Sequence, residues 1–181
     1  MKDKRVLLGI TGSAAAFKGV MLASLLRKRG IHVDGIITKA GKKFVKPTQL
    51  SCVTGGRVYS SLFTRQPDDP VPHITLTENI DLMAVVPATA DFMARAAHGL
   101  APDLLTASFL ACAAPVVMAP SMNSRMWNNP ATSANFSLLR GRGIVFSGPV
   151  SGKLACGTSG MGRMEEPEEI LRVCLEILEG G

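Results

Sequence analysis

Residues 5–15 read RVLLGITGSAA, and the fold class follows from how that stretch is parsed. Arg5–Ile10 is a short, nearly continuous apolar run of strand-forming residues. Thr11-Gly12-Ser13 is turn material. From residue 14 to residue 29 the apolar positions Phe17, Val20, Met21, Leu22, Leu25 and Leu26 recur at helical spacing, and Gly30 then stops the helix. Strand, turn and helix in that order make a βα unit, and the rest of the chain repeats it. Short apolar runs at 31–38, 82–86, 116–118 and 144–146 predict strands of the kind buried on both faces of a parallel sheet. Helical spacing predicts helices over 47–53, 89–98, 103–112, 131–140 and 166–178. Strands alternating with helices define an α/β fold, a three-layer doubly wound parallel sheet, with residues 1–181 forming a single domain. Two long stretches, 60–72 and 148–163, fit neither pattern, and loops of that length in a compact domain are usually functional.

The composition agrees with a packed domain. The chain has 181 residues, 46% hydrophobic and 19% charged, which excludes a disordered or collagen-like polypeptide. Of its 20 Lys and Arg, eleven fall within residues 1–46 beside only Asp3 and Asp34, a local net charge of +9 that leaves −3 for the remainder. A nucleic-acid partner is not expected, because aromatics make up 5% of the chain and no zinc-finger or RNP-like string accompanies the charge. Clustered positive charge suits a small phosphorylated ligand equally well.

Two segments imitate membrane or export signals. The charged start followed by VLLGITGSAAAF has the outline of a signal peptide, but it parses better as the βα unit above. Residues 104–124 carry no charge over about the length of a membrane span, yet Pro115 and Pro120 interrupt them, so helix, turn and strand is the preferred parse. The expectation is a cytoplasmic protein with no membrane association. Cys52, Cys112, Cys156 and Cys174 lie at irregular spacing with no CxxC, which suggests neither a metal site nor a disulfide framework. Cys156 alone sits in a glycine-rich loop.

In a doubly wound fold ligands lie beyond the carboxyl ends of the strands, and that rule selects the candidate residues. After the first strand come Gly12, Ser13 and Ala14, whose backbone N–H groups at a helix start suit an anion, although a tight turn with no ligand has the same sequence. The segment is not GxGxxG, so no dinucleotide fingerprint is present. Thr38, Lys39 and Ala40 follow the second strand, and Thr89, Ala90, Asp91 and Phe92 follow the strand at 82–86. Both are also what helix capping would require. After the strand at 116–118 comes PSMNSRMW, residues 120–127, which holds the only Trp. His32 and His98 read as structural or solvated. His73 opens a short polar helix after a long loop, where imidazole is able to hold or move a proton but equally able to be an exposed cap. Ala155-Cys156-Gly157 lies in a run rich in glycine that suits a flap presenting a thiol, or an idle surface loop.

These residues together resemble the homo-oligomeric flavin-containing cysteine decarboxylases. PSMNSRMW matches the PxMNxxMW signature of that family in full. The Gly12-Ser13 turn, His73 followed by an apolar residue, residues 87–91 and Ala155-Cys156-Gly157 extend the match along nearly the whole chain. The resemblance implies a Rossmann-like fold of the flavoprotein type with FMN as cofactor and no metal. Gly12, Ser13, Ala14, Thr38, Lys39, Ala40, Thr89, Ala90, Asp91, Phe92 and Ser121 would then line the flavin. Asn123 and Met122, with Ala155, Cys156 and Gly157, would meet the substrate. His73 would be the catalytic histidine, Asn123 would hold the substrate carboxylate, and Cys156 would donate a proton.

Within the family the chain is most similar to the branch that converts 4′-phosphopantothenoylcysteine to 4′-phosphopantetheine on the way to coenzyme A, a carboxy-lyase acting on a small phosphorylated cysteine conjugate. The alternatives are a peptidyl-cysteine decarboxylase that leaves a C-terminal enethiol and a non-catalytic flavoprotein regulator. A proton-donating Cys156 favours the first, because only that branch must saturate its enethiol. The family also implies a homo-oligomer built from trimers, either a homotrimer or a homododecamer.

Overall fold

The computed structural model describes residues 3–63, 71–155 and 157–180. Its first unit is β1 (Arg5–Ile10) and α1 (Ala16–Lys28), followed by β2 (His32–Ile37), a 3-10 turn at Gly41–Lys43, α2 (Pro47–Thr54) and β3 (Val58–Tyr59). Then come α3 (Pro72–Thr75), β4 (Leu82–Ala88), α4 (Ala90–Ala97), α5 (Leu104–Ala111) and β5 (Val116–Pro120). The chain continues through α6 (Ser124–Trp127), α7 (Pro130–Gly141), β6 (Val145–Phe146), the strands β7 (Val150–Lys153) and β8 (Ser159–Arg163), and α8 (Pro167–Gly180).

Six strands pair in parallel in the order β3-β2-β1-β4-β5-β6, and β7 and β8 form a separate antiparallel pair. Succession runs outward in one direction from β1 and in the other from β4. The crevice where the order reverses therefore opens above the carboxyl ends of those two strands.

Alternate side chains along β1 feed opposite layers, as strand pleating requires. Val6, Leu8 and Ile10 join Leu22, Leu26, Ile170 and Cys174 on the α1/α8 side, while Leu7 joins Met83, Val85, Met93 and Leu105 on the α4/α5 side. All of these are almost wholly buried, which is why the central strands read as continuous apolar runs rather than alternating ones.

The five predicted strands and six predicted helices are all present, with ends shifted by one or two residues. The irregular stretch 148–163 is mostly the β7–β8 pair, invisible in the sequence because SGK and SGMGR carry no apolar alternation. The two-residue strand β3 is too short to leave a periodic signal. Among the described residues no helix is long and apolar enough to cross a membrane, and no group of His, Cys, Asp and Glu is arranged to hold a metal ion.

Candidate functional site

The turns after β1, β2, β4 and β5 are laced together by their own hydroxyl groups. Thr11 Oγ1 donates to the Pro87 carbonyl at 2.7 Å and accepts from the Thr89 N–H at 3.2 Å, joining the turns on either side of the crevice. Thr38 N–H donates to the Ile10 carbonyl at 3.0 Å, and Thr38 Oγ1 accepts from the Gly41 N–H at 3.0 Å. Ser121 N–H donates to the Ala88 carbonyl at 3.1 Å, and the Ser121 and Ser13 hydroxyls lie 2.8 Å apart. Thr89 caps α4 by accepting from the Phe92 N–H. Capping and ligand binding are thus not rivals here, since the capping bonds fix the backbone that faces the crevice.

A cavity of about 870 Å³ occupies that crevice. Gly12, Ser13, Thr38, Lys39, Ala40, Thr89, Ala90, Asp91, Phe92 and Ser121 all line it, so ten of the eleven residues assigned to the flavin converge on one space. The eleventh, Ala14, lines an adjoining cavity of about 620 Å³ together with Asn123, Ala155, Lys18, Lys153 and Arg163. Ser13, Ser121 and Met122 belong to both, so the hydroxyl pair stands in their common wall. Among the described residues the second cavity is lined by three basic side chains and no Asp or Glu.

Asn123 caps α6, its Oδ1 accepting from the Arg125 N–H at 2.8 Å, which fixes how the amide is turned at the edge of the second cavity. Trp127 packs edge-on against Phe136, with ring centroids 5.2 Å apart, so the signature's aromatic end anchors the short helix to α7. Met122 N–H donates to the Gly162 carbonyl at 3.0 Å, which brings β8 against the same loop. Gly162 has φ +126°, and a Cβ there would run into the Met122 carbonyl oxygen, so this approach requires glycine.

His73 lines neither cavity. It lies on α3, which packs against α5, and its Nδ1 is buried with no hydrogen-bond partner among the described residues. Cys156 lies outside the described residues, and Gly157, which is described, lines neither cavity. The other histidines are engaged elsewhere, His32 with Asp34 at 3.1 Å and His98 with Asn135 at 3.1 Å. Cys174 is inert by position, its thiol pushed up to about 12 by burial in the α8 packing face.

Sequence reasoning missed several lining residues. Arg95 lines the first cavity and is held by Asp91 at 2.9 Å and Asp103 at 3.4 Å; the i,i+4 spacing of Asp91 and Arg95 was the available signal. Lys43, part of the basic run that follows the second strand, also lines it, and so do Ser60–Phe63, at the start of the irregular stretch 60–72.

The first cavity fits a phosphorylated aromatic cofactor. Gly12 shows this directly, because a Cβ there would lie 2.5 Å from that of Ala40; its absence lets two turns close together and bares their backbone. Lys39 and Lys43 offer charge for a phosphate, and Phe92, Leu105 and Met122 offer apolar surface for a ring. The volume falls in the range of about 300–1,000 Å³ usual for small-molecule sites.

A doubly wound sheet with this crevice defines a mononucleotide-binding type of α/β protein. The Flavoprotein family model matches residues 1–179, and the chain belongs to that family. It is 41% identical over 179 residues to the coenzyme A biosynthesis bifunctional protein CoaBC of Vibrio vulnificus, an alignment covering 99% of this chain and 45% of the relative. The chain thus spans about half the length of the curated relatives it matches. Among solved structures it resembles a cysteine-to-serine mutant of PPC decarboxylase complexed with pantothenoylaminoethenethiol, with a TM-score of 0.86, 31% identity, and coverage of 99% and 100% of the two chains. It also resembles the FMN-dependent cysteine decarboxylase SpaF, with a TM-score of 0.79, 29% identity, and coverage of 96% and 97%.

Proposed function

We propose that the chain is an FMN-dependent carboxy-lyase that decarboxylates 4′-phosphopantothenoylcysteine to 4′-phosphopantetheine in coenzyme A biosynthesis, with residues 1–181 as a single flavoprotein domain. The observation that carries this is the junction of the two cavities at Ser13 and Ser121. A flavin-sized space opens there onto a basic chamber bordered by Asn123. FMN held there would supply a two-electron acceptor and donor, the chemistry that lets a cysteine carboxylate lose CO2 without a stranded carbanion.

The chain's own residues then have separable tasks. The turns at Gly12–Ala14, Thr38–Ala40 and Thr89–Phe92, with Ser121, hold the cofactor. Asn123 holds the substrate carboxylate, oriented by its bond to Arg125. Met122 and Ala155 bound the substrate in the second cavity, while Gly157 as a substrate contact and Cys156 as the group that returns a proton to the enethiol carbon are carried by the sequence resemblance. His73 is the catalytic histidine, a role carried by the sequence resemblance, and imidazole is a side chain able to hold or move a proton. Its place outside both cavities favours action on a neighbouring subunit's flavin, in a homo-oligomer built from trimers. The exposed Val71, Ile74 and Leu110 are suitable contacts for such an assembly. A cytoplasmic location goes with this pathway.

Mass spectrometry after incubation with 4′-phosphopantothenoylcysteine and, separately, a peptide ending in cysteine tests the reading. Loss of CO2 without net oxidation from the first substrate is expected. Oxidative decarboxylation of the peptide alone would establish the peptidyl-cysteine reaction instead.

A further inference from the structure

We infer that Glu166 is a positioning residue which, with Lys18 and Arg163, fixes the β7–β8 hairpin against the second cavity. This rests on the proposed function for what occupies that cavity. The sequence resemblance assigns a role to none of the three.

The geometry joins three elements at one carboxylate. Lys18 lies on α1, the helix that grows from the Ser13 turn, and its side chain is only 11% exposed. Its Nζ stands 2.9 Å from Glu166 Oε2 and donates to the Met164 and Glu165 carbonyls at 3.4 and 3.5 Å. Glu166 Oε1 accepts from Arg163 Nη2 at 2.6 Å, at the end of β8, and the Glu166 carbonyl accepts the Ile170 N–H at the start of α8. The two cations hold the Glu166 carboxyl below its ordinary range, Lys18 contributing most.

A surface pair such as Arg163–Glu166 alone would count for little. A shared carboxylate differs because it neutralises a buried ammonium that would otherwise be costly. The consequence reaches the cavity through the hairpin. β8 is held to α1 by this cluster and to the Met122 loop by Gly162, while β7, paired to it, carries Lys153 and leads into Leu154 and Ala155. Those three residues form a wall of the second cavity, so the cluster sets the wall's distance from Asn123.

The test uses the charge-neutral double variant Lys18→Met/Glu166→Gln in the FMN-loaded protein. Removing one cation and one anion leaves the net charge unchanged, and neutralising the buried Lys18 together with its half-exposed partner Glu166 leaves no uncompensated buried charge. Amide hydrogen exchange over residues 150–163 is expected to quicken by at least about threefold, with β4 unaffected. The KM for 4′-phosphopantothenoylcysteine is expected to rise about tenfold with kcat changed by less than about threefold. Exchange that matches the wild type overturns the inference, whatever the substrate. An unchanged KM in an active protein does so too. A wild-type protein that releases no CO2 from that substrate instead refutes the functional reading, and the exchange comparison then decides the inference by itself.

Discussion

Ser13 Oγ and Ser121 Oγ lie 2.8 Å apart across 108 residues of sequence, and this contact is the shared wall of the two cavities. One hydroxyl comes from the turn after β1 and the other from the turn after β5, so the bond spans the crevice above the sheet's reversal point. Ser13 Oγ also accepts the Ala15 N–H at 3.2 Å, which ties it to the start of α1.

Replacing Ser121 by Ala removes one partner and leaves Ser13 without that bond. A hydrogen bond of this kind contributes about 1 kcal/mol. FMN affinity is expected to fall about fivefold. Titration of flavin fluorescence measures it, and equal affinity would show that the pair does not shape the cofactor site.

Gly12→Ala attacks the same floor differently. The new methyl group would stand 2.5 Å from Ala40 Cβ, so the turns after β1 and β2 must part. Overpacking of this sort costs about 1–3 kcal/mol. A lower melting temperature and at least about tenfold weaker FMN binding are expected together, because stability and cofactor binding share this contact. Loss of affinity without loss of stability would place the strain elsewhere.

The sheet was legible because its strands are buried on both faces: no polar residue interrupts Leu7 or Leu8 in β1, or Met83 to Val86 in β4. The turns lining the first cavity were legible because a doubly wound topology sends ligands to strand ends, so finding the strands found the turns. The places of Arg95 and Lys18 were not legible. Their roles depend on which helix face meets the crevice, and a long polar side chain on a helix usually marks solvent. Lys18 shows the ambiguity well, since its sequence neighbours Ala15 and Phe17 give no hint of a carboxylate at residue 166, 148 positions away. The position of His73 was equally opaque, because pattern reading assigns a residue to an element and not to a cavity.

Acid should weaken the fold through Asp81, just ahead of β4. Its Oδ2 accepts the Arg5 N–H at 2.7 Å and its Oδ1 pairs with Lys4 at 3.0 Å. The Arg5 N–H is the main cause that holds this carboxyl below its ordinary value, with burial opposing and Lys4 assisting. A depressed folded-state pKa stabilises above the unfolded value of about 3.9, and that stabilisation is lost as the pH falls through the folded value. Asp81→Asn should therefore be less stable than the wild type near neutrality and approach it below about pH 3. Urea denaturation at the two pH values reads this directly, and a constant gap would assign the effect to shape and not to charge.

The basic start of the chain can be assigned by structure to particular lysines. Lys39 and Lys43 line the first cavity, whereas Lys42 reaches Ser60 at 3.4 Å and Lys46 lines no part of it. If Lys39 and Lys43 meet the phosphate of FMN, their charge acts over a distance that salt shortens, from about 30 Å at 0.01 M to about 3 Å at 1 M. The Lys39→Ala/Lys43→Ala variant should then bind FMN about tenfold more weakly at low salt and only about two- to threefold more weakly at high salt. Riboflavin, which has the same ring and no phosphate, should bind both proteins alike. An equal loss for riboflavin would mean that the substitutions distort the turn after β2, and their charge would then have no part in choosing the ligand.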